Sequence, residues 1–569
     1  MNNNKIIIIL LIFLLISTAI PITIGRPQIP SELINVKINI EPYSIIYEGD
    51  IINCTITGNP TIKYWTINDQ NKHITFDGNN PIIFDPEPTP LEDKYVNLTV
   101  YAENGAGIIS DTVIVMIKRI YFGDIHWHST ICDGDYSLDS MYKNAIKDNY
   151  LDFAAYSGHA EFINGIDSCR LRVVIRNIIQ RLMFWRDEWK IIKEKANEYY
   201  DEGHFTTFLG FEWSGSPSHP GGREWSENGW EDVGHVNFYY KDVYPDAKEY
   251  SSYQKHTYDD IFEVMSEEWD KGNLNIGFPH HPQAGPDYEK IGKPKGYKYC
   301  MTTNWTFLAN HVKNPDARDK ILRGVEVYSR WGTAIGPLSN LPISWPYTPK
   351  AFYNQTDAWV ENAMWEWSEN LRGRRFAMQA CSDTHGLDRP GSAQKEIVLK
   401  AGKPSGIMAA YAVHNTREEI WDAMNNCSMY GSQLLKIRAN VRFDSQMALG
   451  QWINCSSPIN ITITAQSTFP GLDSSGKNMK PHGYQDDQLD YPIQDIWIIK
   501  KDRDKVRPWC KIISHTTPDT NTAVVNFQDY DVQPNDFYYV AIKQKGQELI
   551  EGQNEYMTFI GPVFINNVE

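Results

Sequence analysis

The chain of 569 residues is too long for a single hydrophobic core, and its hydrophobic content of 41% is typical of a folded protein. Its 71 acidic and 54 basic residues give a formal net charge of −17, which excludes a protein that coats a nucleic-acid backbone. Of the 15 histidines, 12 lie between His126 and His414, so we expect the chemistry in the middle of the chain.

The N-terminal segment, residues 1–25, has one lysine followed by an uninterrupted apolar run. This pattern is typical of an export signal peptide. The run from Ile6 to Ile24 is also nearly long enough to span a bilayer, so an uncleaved membrane anchor is the alternative. Both interpretations predict a protein that is secreted or attached to the cell surface.

Residues 27–118 contain short runs of alternating apolar and polar residues, such as "DIINCTITG" and "YVNLTVYAENGAG", separated by turn residues. This pattern predicts a small β-sandwich. The stretch from Val96 to Val115 resembles the last two strands of immunoglobulin-like or PKD-type surface modules. That resemblance implies a spacer or an anchor for a catalytic domain.

Residues 120–435 alternate apolar strand-like runs with helical segments such as "SLDSMYKNAIKDN" and "TYDDIFEVMSEEWDKG". The alternation predicts a parallel α/β arrangement, either open or closed into a barrel. Its last helix, "NTREEIWDAMNNC", begins with Asn415 or Thr416 as the N-cap. Residues 436–569 return to strand-like runs and predict a second β-sandwich, in which Cys455 and Cys510 could form a disulfide.

The stretch "YFGDIHWHSTICDGD" places polar residues at alternating positions where an apolar strand ends. In an extended strand Asp124, His126 and His128 share one face, because successive side chains point to opposite sides. Three polar groups in a row on a packed face have no structural use, so they either line water or hold a charged group.

Other strand-like runs of residues 120–435 also carry imidazoles or carboxylates at or near their ends. In parallel α/β folds the strand ends on one face converge, and active sites form there. The residues are His159, Glu212, His235, His280, His281, Asp383 and His385.

Imidazole together with carboxylate is the ligand set of Zn²⁺, Fe or Mn²⁺. More than four such groups indicate two or three ions, and paired ions suit displacement at phosphorus by a metal-bound hydroxide. A single strand-terminal histidine is more often a hydrogen-bonded structural residue. The joint occurrence of the H-x-H pair, the D-x-H pair and Glu212 favours metal binding over packing.

The ordered motifs "FGDIHWHSTICDGD", "YSGHAE", "GFEW", "GHVN", "PHH" and "CSDTH" resemble the polymerase and histidinol phosphatase (PHP) superfamily. Within it, the chain is most similar to the exported branch known as the DUF3604 family. The resemblance covers residues 120–435. It implies a distorted (β/α)7 barrel with a trinuclear metal site at the strand C-termini, here flanked by the two sandwiches.

Carried over residue by residue, the resemblance implies three groups of ligands. The first ion has His126, His128, Glu212 and Asp383, and Glu212 bridges to a second ion at His235 and His280; the third ion has His159 and His385, with Asp133 where many relatives have a ligand. His281 is the alternative to His280. The family usually has Asp before the second-motif histidine, whereas this chain has Gly158, so the surroundings of His159 are in question.

A phosphate substrate also needs a positive clamp, for which the planar fork of arginine is suited. The candidate catalytic residues are Arg389, Arg330 and His385, although each arginine could equally form a surface ion pair. Cys132 and Cys381 lie within the motifs and are interpreted as buried thiols, with a disulfide or a secondary ligand role as alternatives.

The first functional hypothesis is an exported metal-dependent phosphoesterase that acts on a small-molecule or polymer-linked phosphoester. The second is a cell-surface binding protein in which the barrel is a metal-stabilised scaffold. A third, a metal hydrolase of C–N or sulfate ester bonds, uses the same residues. The complete ligand set favours an enzyme over the scaffold.

Overall fold

The computed structural model describes most of the chain after residue 32. The N-terminal apolar segment, Arg330 and Arg389 lie outside the described residues. Within the described part, no helix is both long and apolar enough to cross a membrane. The described residues are 33–60, 62–73, 76–77, 80–84, 86, 88–105, 107–147, 151–163, 187–215, 234–252, 254–282, 303–329, 332–342, 359–385, 405–433, 435–467, 492–505, 509–550 and 553–569.

The first part of the chain is made of strands that pack around a core containing Trp65, Leu98 and Val100. The alternation of polar and apolar residues in the sequence corresponds to alternating exposure in the structure. Val36 and Ile38, for example, are buried while their neighbours are exposed. The strands are β1 (Asn35–Ile38), β2 (Ile45–Tyr47), β3 (Cys54–Thr57), β4 (Ile62–Ile67), β5 (Gln70–His73), β6 (Phe76–Asp77), β7 (Asn80–Pro81), β8 (Val96–Asn104) and β9 (Gly107–Asp124).

Strand β9 connects the first part of the chain to the central part. Its beginning pairs with β8, from Gly107 opposite Asn104 to Val115 opposite Val96. Its end, around Gly123, lies between a parallel and an antiparallel neighbour in the central sheet. The strand that leads to His126 is therefore continuous with the first group of strands.

The central part is a mixed α/β structure, as the alternating sequence pattern predicts. Its strands are β10 (Phe153–Tyr156), β11 (Thr206–Ser214), β12 (His235–Tyr240), β13 (Asn275–Pro279), β14 (Gly324–Ser329), β15 (Gly332–Thr333), β16 (Ala377–Ala380), β17 (Gly406–Ala412) and β18 (Met429–Gln433). Its helices are α1 (Leu138–Lys147), α2 (Glu188–Glu198), α3 (Tyr258–Asp270), α4 (Trp305–Asn310), α5 (Pro315–Ile321), α6 (Val360–Asn370) and α7 (Arg417–Asn425), with a 3₁₀ turn at Pro337–Ser339. Thr416 is the N-cap of α7 and accepts the backbone N–H of Glu419.

The central sheet is not wholly parallel, which corrects one expectation. Strands β9, β10 and β11 are parallel neighbours, but β12 is antiparallel to both β11 and β13. Antiparallel neighbours need no crossover helix. Strands β14, β15 and β16 form a separate sheet, and within the described ranges the ladders do not close into a barrel.

The last part of the chain is again built of strands. One antiparallel sheet is formed by Arg438–Phe443, Ile459–Gln466 and Thr522–Asp529. It packs against a second group, in which Gln553–Val568 pairs with Trp452–Cys455, Phe537–Ile550 and β18. Cys455 and Cys510 are both buried and are not joined, so the disulfide that the sequence left possible is not formed. The strands are β19 (Arg438–Phe443), β20 (Trp452–Cys455), β21 (Ile459–Gln466), β22 (Ile493–Lys501), β23 (Cys510–Thr516), β24 (Thr522–Asp529), β25 (Phe537–Ile550) and β26 (Gln553–Val568).

Candidate metal centre

The H-x-H motif follows the end of β9 and is tied to the D-x-H motif that follows β16. Asp124 accepts the backbone N–H groups of His126 at 3.2 Å and of Ser382 at 3.1 Å. The backbone N–H of Asp383 donates to the carbonyl of His126 at 2.7 Å. Trp127, between the two histidines, is buried in the hydrophobic core. The alternation therefore turns both imidazoles away from the core.

Four side chains meet at the end of these strands. The Nε2 atom of His126 lies 3.4 Å from Oδ1 of Asp383 and 3.6 Å from Oε2 of Glu212. The Nε2 atom of His128 lies 3.1 Å and 3.4 Å from the same two oxygens. Two imidazole nitrogens and two carboxylate oxygens thus surround one small volume.

Glu212, in β11, presents its second oxygen to a different set of histidines. Its Oε1 atom lies 2.7 Å from Nδ1 of His235, 3.2 Å from Nε2 of His280 and 3.2 Å from Nδ1 of His159. His235 begins β12, and His280 directly follows β13. One carboxylate therefore contacts two sides of the cluster, which is the geometry of a bridging ligand.

Asp133 brings together a further group at the outer edge of the cluster. Its Oδ1 atom lies 3.5 Å from Nδ1 of His128, 3.8 Å from Nε2 of His159 and 3.4 Å from Nε2 of His385. The rings of His128 and His385 stack with their centroids 3.7 Å apart. The candidate residues that the sequence singled out are thus neighbours in space wherever the structure describes them.

Both histidines of the "PHH" motif lie in the cluster. His280 faces Glu212, and the Nε2 atom of His281 lies 3.8 Å from Oδ2 of Asp383. His281 and Asp383 have positive φ angles of 31° and 50°, a backbone conformation that non-glycine residues rarely adopt and that is concentrated at functional sites. The two registers that the sequence left open are both compatible with the structure.

Several buried atoms of the cluster have the properties of ligands. Within the described part of the chain, Nε2 of His126, His128, His235 and His280 and Oδ1 of Asp383 make no hydrogen bond. Buried polar atoms rarely lack a hydrogen bond. A histidine that binds a metal, by contrast, directs one ring nitrogen at the ion and donates its other N–H to a protein acceptor or to water. The donor set of nitrogen and oxygen fits Zn²⁺, Mn²⁺ or Fe. In the described part of the chain, four groups of residues each have donor atoms that lie within 4.8 Å of one another inside the group. The groups are His128, Asp133, His159 and His385; His235, His280 and His281; His126, Glu212 and His280; and His126, His128 and Asp383.

The two central carboxylates are ionised. Burial raises the pKa of Glu212, but the positive charge of His159 opposes this, and the pKa is held well below its usual range. Burial acts on Asp383 in the same way, and His126 and His128 lower its pKa well below the usual range. Both groups therefore carry the negative charge that a cation requires.

The histidines divide into two electrostatic classes. Burial lowers the pKa of His128 to about 3 and that of His280 to about 4, so both rings are neutral and each has a nitrogen lone pair for a metal ion. Burial also acts on His126 and His159, but the carboxylates around them raise their pKa values well above the usual range. A cation in this cluster would take the place of the protons that the second class holds.

Two residues that the sequence did not single out orient the cluster from behind. The carboxylate of Glu326 lies 2.8 Å from Nδ1 of His126, and Ser214 Oγ lies 2.6 Å from Nδ1 of His159. Partners of this kind fix which ring nitrogen faces the metal. A signal was available for Glu326, which is the one acid in the buried strand "GVEVYS". Cys132 Sγ lies 3.4 Å from Nδ1 of His128, and Cys132 and Cys381 are separate buried thiols, as interpreted from the sequence.

Gly158 departs from the family pattern for a local reason. A Cβ atom at this position would lie 2.0 Å from the hydroxyl oxygen of Tyr156 and 2.6 Å from Sγ of Cys132. An aspartate therefore does not fit there while Tyr156 and Cys132 keep their positions. Ser214 instead contacts His159 at the nitrogen that points away from Asp133.

The sequence matches the family described as "Protein of unknown function (DUF3604)" over residues 161–285 and 355–451. The match confirms the resemblance to the DUF3604 family. The matched segments contain Glu212, His235, His280, Asp383 and His385.

Among solved structures, the chain is similar to a two-domain protein of Bacteroides vulgatus ATCC 8482 described as containing a predicted PHP-like metal-dependent phosphoesterase. The two share 13% identity with a TM-score of 0.32, over 78% of this chain and 95% of that chain. A beta-glucuronidase 2 of Bacteroides uniformis has 7% identity and a TM-score of 0.16 over 94% and 61% of the two chains. A beta-glucuronidase of Parabacteroides merdae has 7% identity and a TM-score of 0.15 over 90% and 75%. No curated protein matches the chain significantly.

Proposed function

We propose that this chain, a member of the DUF3604 family, is a metal-dependent hydrolase that cleaves phosphoester bonds. The observation that carries the proposal is Glu212, whose two oxygens face different histidines within one buried cluster. A carboxylate in that position can join two cations and offset their repulsion. Divalent ions held there would lower the pKa of a water molecule and neutralise charge on the phosphoryl oxygens.

The proposed ligands form three overlapping groups for two or three ions of Zn, Mn or Fe. The first group is His126, His128, Glu212 and Asp383; the second is Glu212, His235 and His280; the third is Asp133, His159 and His385. The short distances within each group and the buried nitrogens without hydrogen-bond partners in the described structure support this assignment.

The substrate would approach from the side of His159 and His385. Their side chains are 17% and 25% exposed, whereas those of His126, His128 and His280 are fully buried. His385 at this open edge is the proposed proton donor to the leaving group. The positive clamp for a small-molecule or polymer-linked phosphoester remains assigned to Arg330 and Arg389.

The proposed scaffold is a distorted (β/α)7 barrel formed by β9–β14 and β16. Two isolated parallel bridges support closure: Gly277 in β13 pairs with Leu322 before β14, and Trp127 after β9 pairs with Thr384 after β16. The proposed sandwiches of residues 27–118 and 436–569 flank this barrel. Residues 1–25 are proposed to export the protein, either as a cleaved signal or as an anchor.

The test combines elemental analysis with a substrate panel on the purified full-length protein. We expect two or three equivalents of transition metal after reconstitution, and turnover of aryl phosphate monoesters or diesters that stops on chelation. Aryl sulfates and amides in the same panel test the hydrolysis of sulfate ester and C–N bonds. Tightly held metal without turnover of any substrate would favour the scaffold, and less than one tightly held ion per chain would contradict the metal centre.

A further inference from the structure

A cleft on the central part of the chain is lined by arginines that the proposed hydrolase does not use. Its volume is about 190 Å³, and its walls include Asp319, Arg323, Trp367, Arg374 and Arg375. The cleft lies where α5 and α6 end and where β14 and β16 begin. A concentration of positive charge is unexpected on a chain whose net charge is −17.

Two arginines of this region have structural roles. Arg323 donates to the backbone carbonyls of Asp319 and Leu322, at the end of α5, and to the side chain of Asn425. Arg318 donates to the carbonyls of Leu308 and Ala309, at the end of α4. Both guanidinium groups therefore satisfy backbone oxygens that a helix end leaves without partners.

Among the residues that the structure describes, Asp319 is the single acid that lines the cleft, and its carboxylate is shared by two arginines. Its Oδ1 atom lies 2.7 Å from a terminal nitrogen of Arg318, and its Oδ2 atom lies 2.9 Å from Nε of Arg374. One carboxylate thus contacts the charged groups of both Arg318 and Arg374. Burial is the main cause that lowers the pKa of Arg323, and the neighbouring charge of Arg375 acts in the same direction.

Arg374 and Arg375 retain hydrogen-bond donors that contact no acceptor in the described part of the protein. Arg374 is 52% exposed and uses Nε for Asp319, while Arg375 uses NH1 for the backbone oxygen of Asn425 and the side chain of Asn426. Among the residues that the structure describes, the terminal amino groups of Arg374 and the remaining donors of Arg375 contact no acceptor. The guanidinium fork matches oxyanions in both charge and geometry.

We propose that this cleft binds a tetrahedral oxyanion, a phosphate or sulfate group, either free or at the charged end of a larger molecule. Arg374 and Arg375 supply the donors, Arg318 and Arg323 form the positive base, and the indole of Trp367 forms an apolar wall. The site is separate from the metal cluster, because the cleft adjoins the beginnings of β14 and β16 while Asp383 and His385 follow the end of β16. The proposal therefore does not depend on the proposed hydrolase.

The experiment measures sulfate binding to the full-length, metal-stripped protein by isothermal titration, with sodium chloride at the same ionic strength as the reference. We expect saturable binding of one equivalent of sulfate. The double variant Arg374→Gln/Arg375→Gln should bind sulfate at least about tenfold more weakly, since a hydrogen bond to a charged group contributes about 1.5–3 kcal/mol. The single variant Arg374→Gln, which loses one surface ion pair, provides the same test with little risk to folding.

The matched control is Arg372→Gln. Arg372 is exposed and lies in the same loop, but it donates to Asn566 and Asn567 instead of lining the cleft. Its variant should bind sulfate as the wild type does. Equal affinity in the wild type and the double variant, no saturable binding by the wild type, or an equal loss in Arg372→Gln would each overturn the proposal.

Discussion

The carboxylate of Glu326 lies 2.8 Å from Nδ1 of His126, and both side chains are fully buried. Glu326 lies in β14, while His126 follows β9, so the pair joins two strands that are far apart in the sequence. The contact leaves Nε2 of His126 facing Glu212 and Asp383. A carboxylate behind a ligating histidine fixes the ring and strengthens it as a donor.

We expect Glu326→Gln to weaken metal binding by about 10- to 100-fold while the protein still folds. The amide keeps the volume of the side chain but removes the carboxylate that orients His126. Competition with a chelator of known affinity measures the effect. Glu361→Gln, which changes a buried carboxylate that does not contact the cluster, is the control, and equal metal affinity in the two variants would contradict the role of Glu326.

Ser214 is expected to couple His159 to the bridging carboxylate. Its hydroxyl lies 2.6 Å from Nδ1 of His159 and donates to Oε1 of Glu212 at 2.9 Å. Ser214→Ala should therefore lose the ion at His159 before the others, which metal titration would record as a lower stoichiometry at limiting metal. Ser214→Thr keeps the hydroxyl and should restore the wild-type stoichiometry. An alanine variant with full occupancy would show that the contact is dispensable.

Glu212→Gln should reduce turnover by roughly 10²-fold or more, because it removes a central charge from the site. The remaining histidines can still hold the outer ions, so folding should survive. The control is His204→Gln, since His204 precedes β11 and its side chain is 73% exposed. Rate and metal content are measured for both variants. Equally mild effects would mean that Glu212 is an ordinary strand-end carboxylate.

The first group of strands contacts the rest of the chain more closely than the spacer interpretation expects. Glu48 pairs with Arg438 of β19 and also accepts the backbone N–H of Ile120, and Asp50 pairs with Arg442. Glu48 and Arg438 are both buried. A buried charge whose partner is removed costs several kcal/mol.

Glu48→Gln should therefore lower the free energy of unfolding by about 3 kcal/mol. Glu41→Gln, an exposed acid in the same group of strands, should leave it unchanged. Denaturant unfolding of both variants provides the comparison. If Glu48→Gln is as stable as the wild type, the contact does not hold these strands against the C-terminal part, and the spacer interpretation gains support.

The sequence was sufficient to predict those members of the cluster that lie close together along the chain. The H-x-H and D-x-H spacings pointed to His126, His128, Asp383 and His385, because alternation along a strand places such pairs on one face. The strand-end position of Glu212 pointed to the same site. Local spacing and strand polarity therefore account for most of the cluster.

Contacts between distant segments could not be predicted in this way. Glu326 reaches His126 only because the fold brings β14 beside the residues that follow β9, and nothing in the neighbourhood of either residue encodes that contact. The antiparallel direction of β12 was missed because the alternation of strands and helices was taken to require parallel strands throughout. The disulfide that was possible between Cys455 and Cys510 is not formed, since closeness along one segment does not by itself bring two thiols together.

Glu361 makes the stability of the protein depend on pH. It lies in α6, is fully buried and accepts the backbone N–H of Gly336 at 2.5 Å. Burial raises its pKa to about 7, above the value of about 4.3 expected in the unfolded chain. Between these two values the folded protein holds a proton that the unfolded chain has released, so this group makes stability fall as the pH rises through that window.

Glu361→Gln removes the ionisation but keeps an oxygen that can accept the N–H of Gly336. At pH 5 the wild-type side chain is protonated when folded, so the two proteins should be similarly stable. At pH 8 the wild type must bury a charge, and the variant should be more stable by up to about 3 kcal/mol. Denaturant unfolding of both proteins at the two pH values measures this difference, and the titration of the histidines cancels because it is common to both. A stability difference that is the same at pH 5 and pH 8 would mean that the backbone N–H groups around Glu361 already compensate its charge.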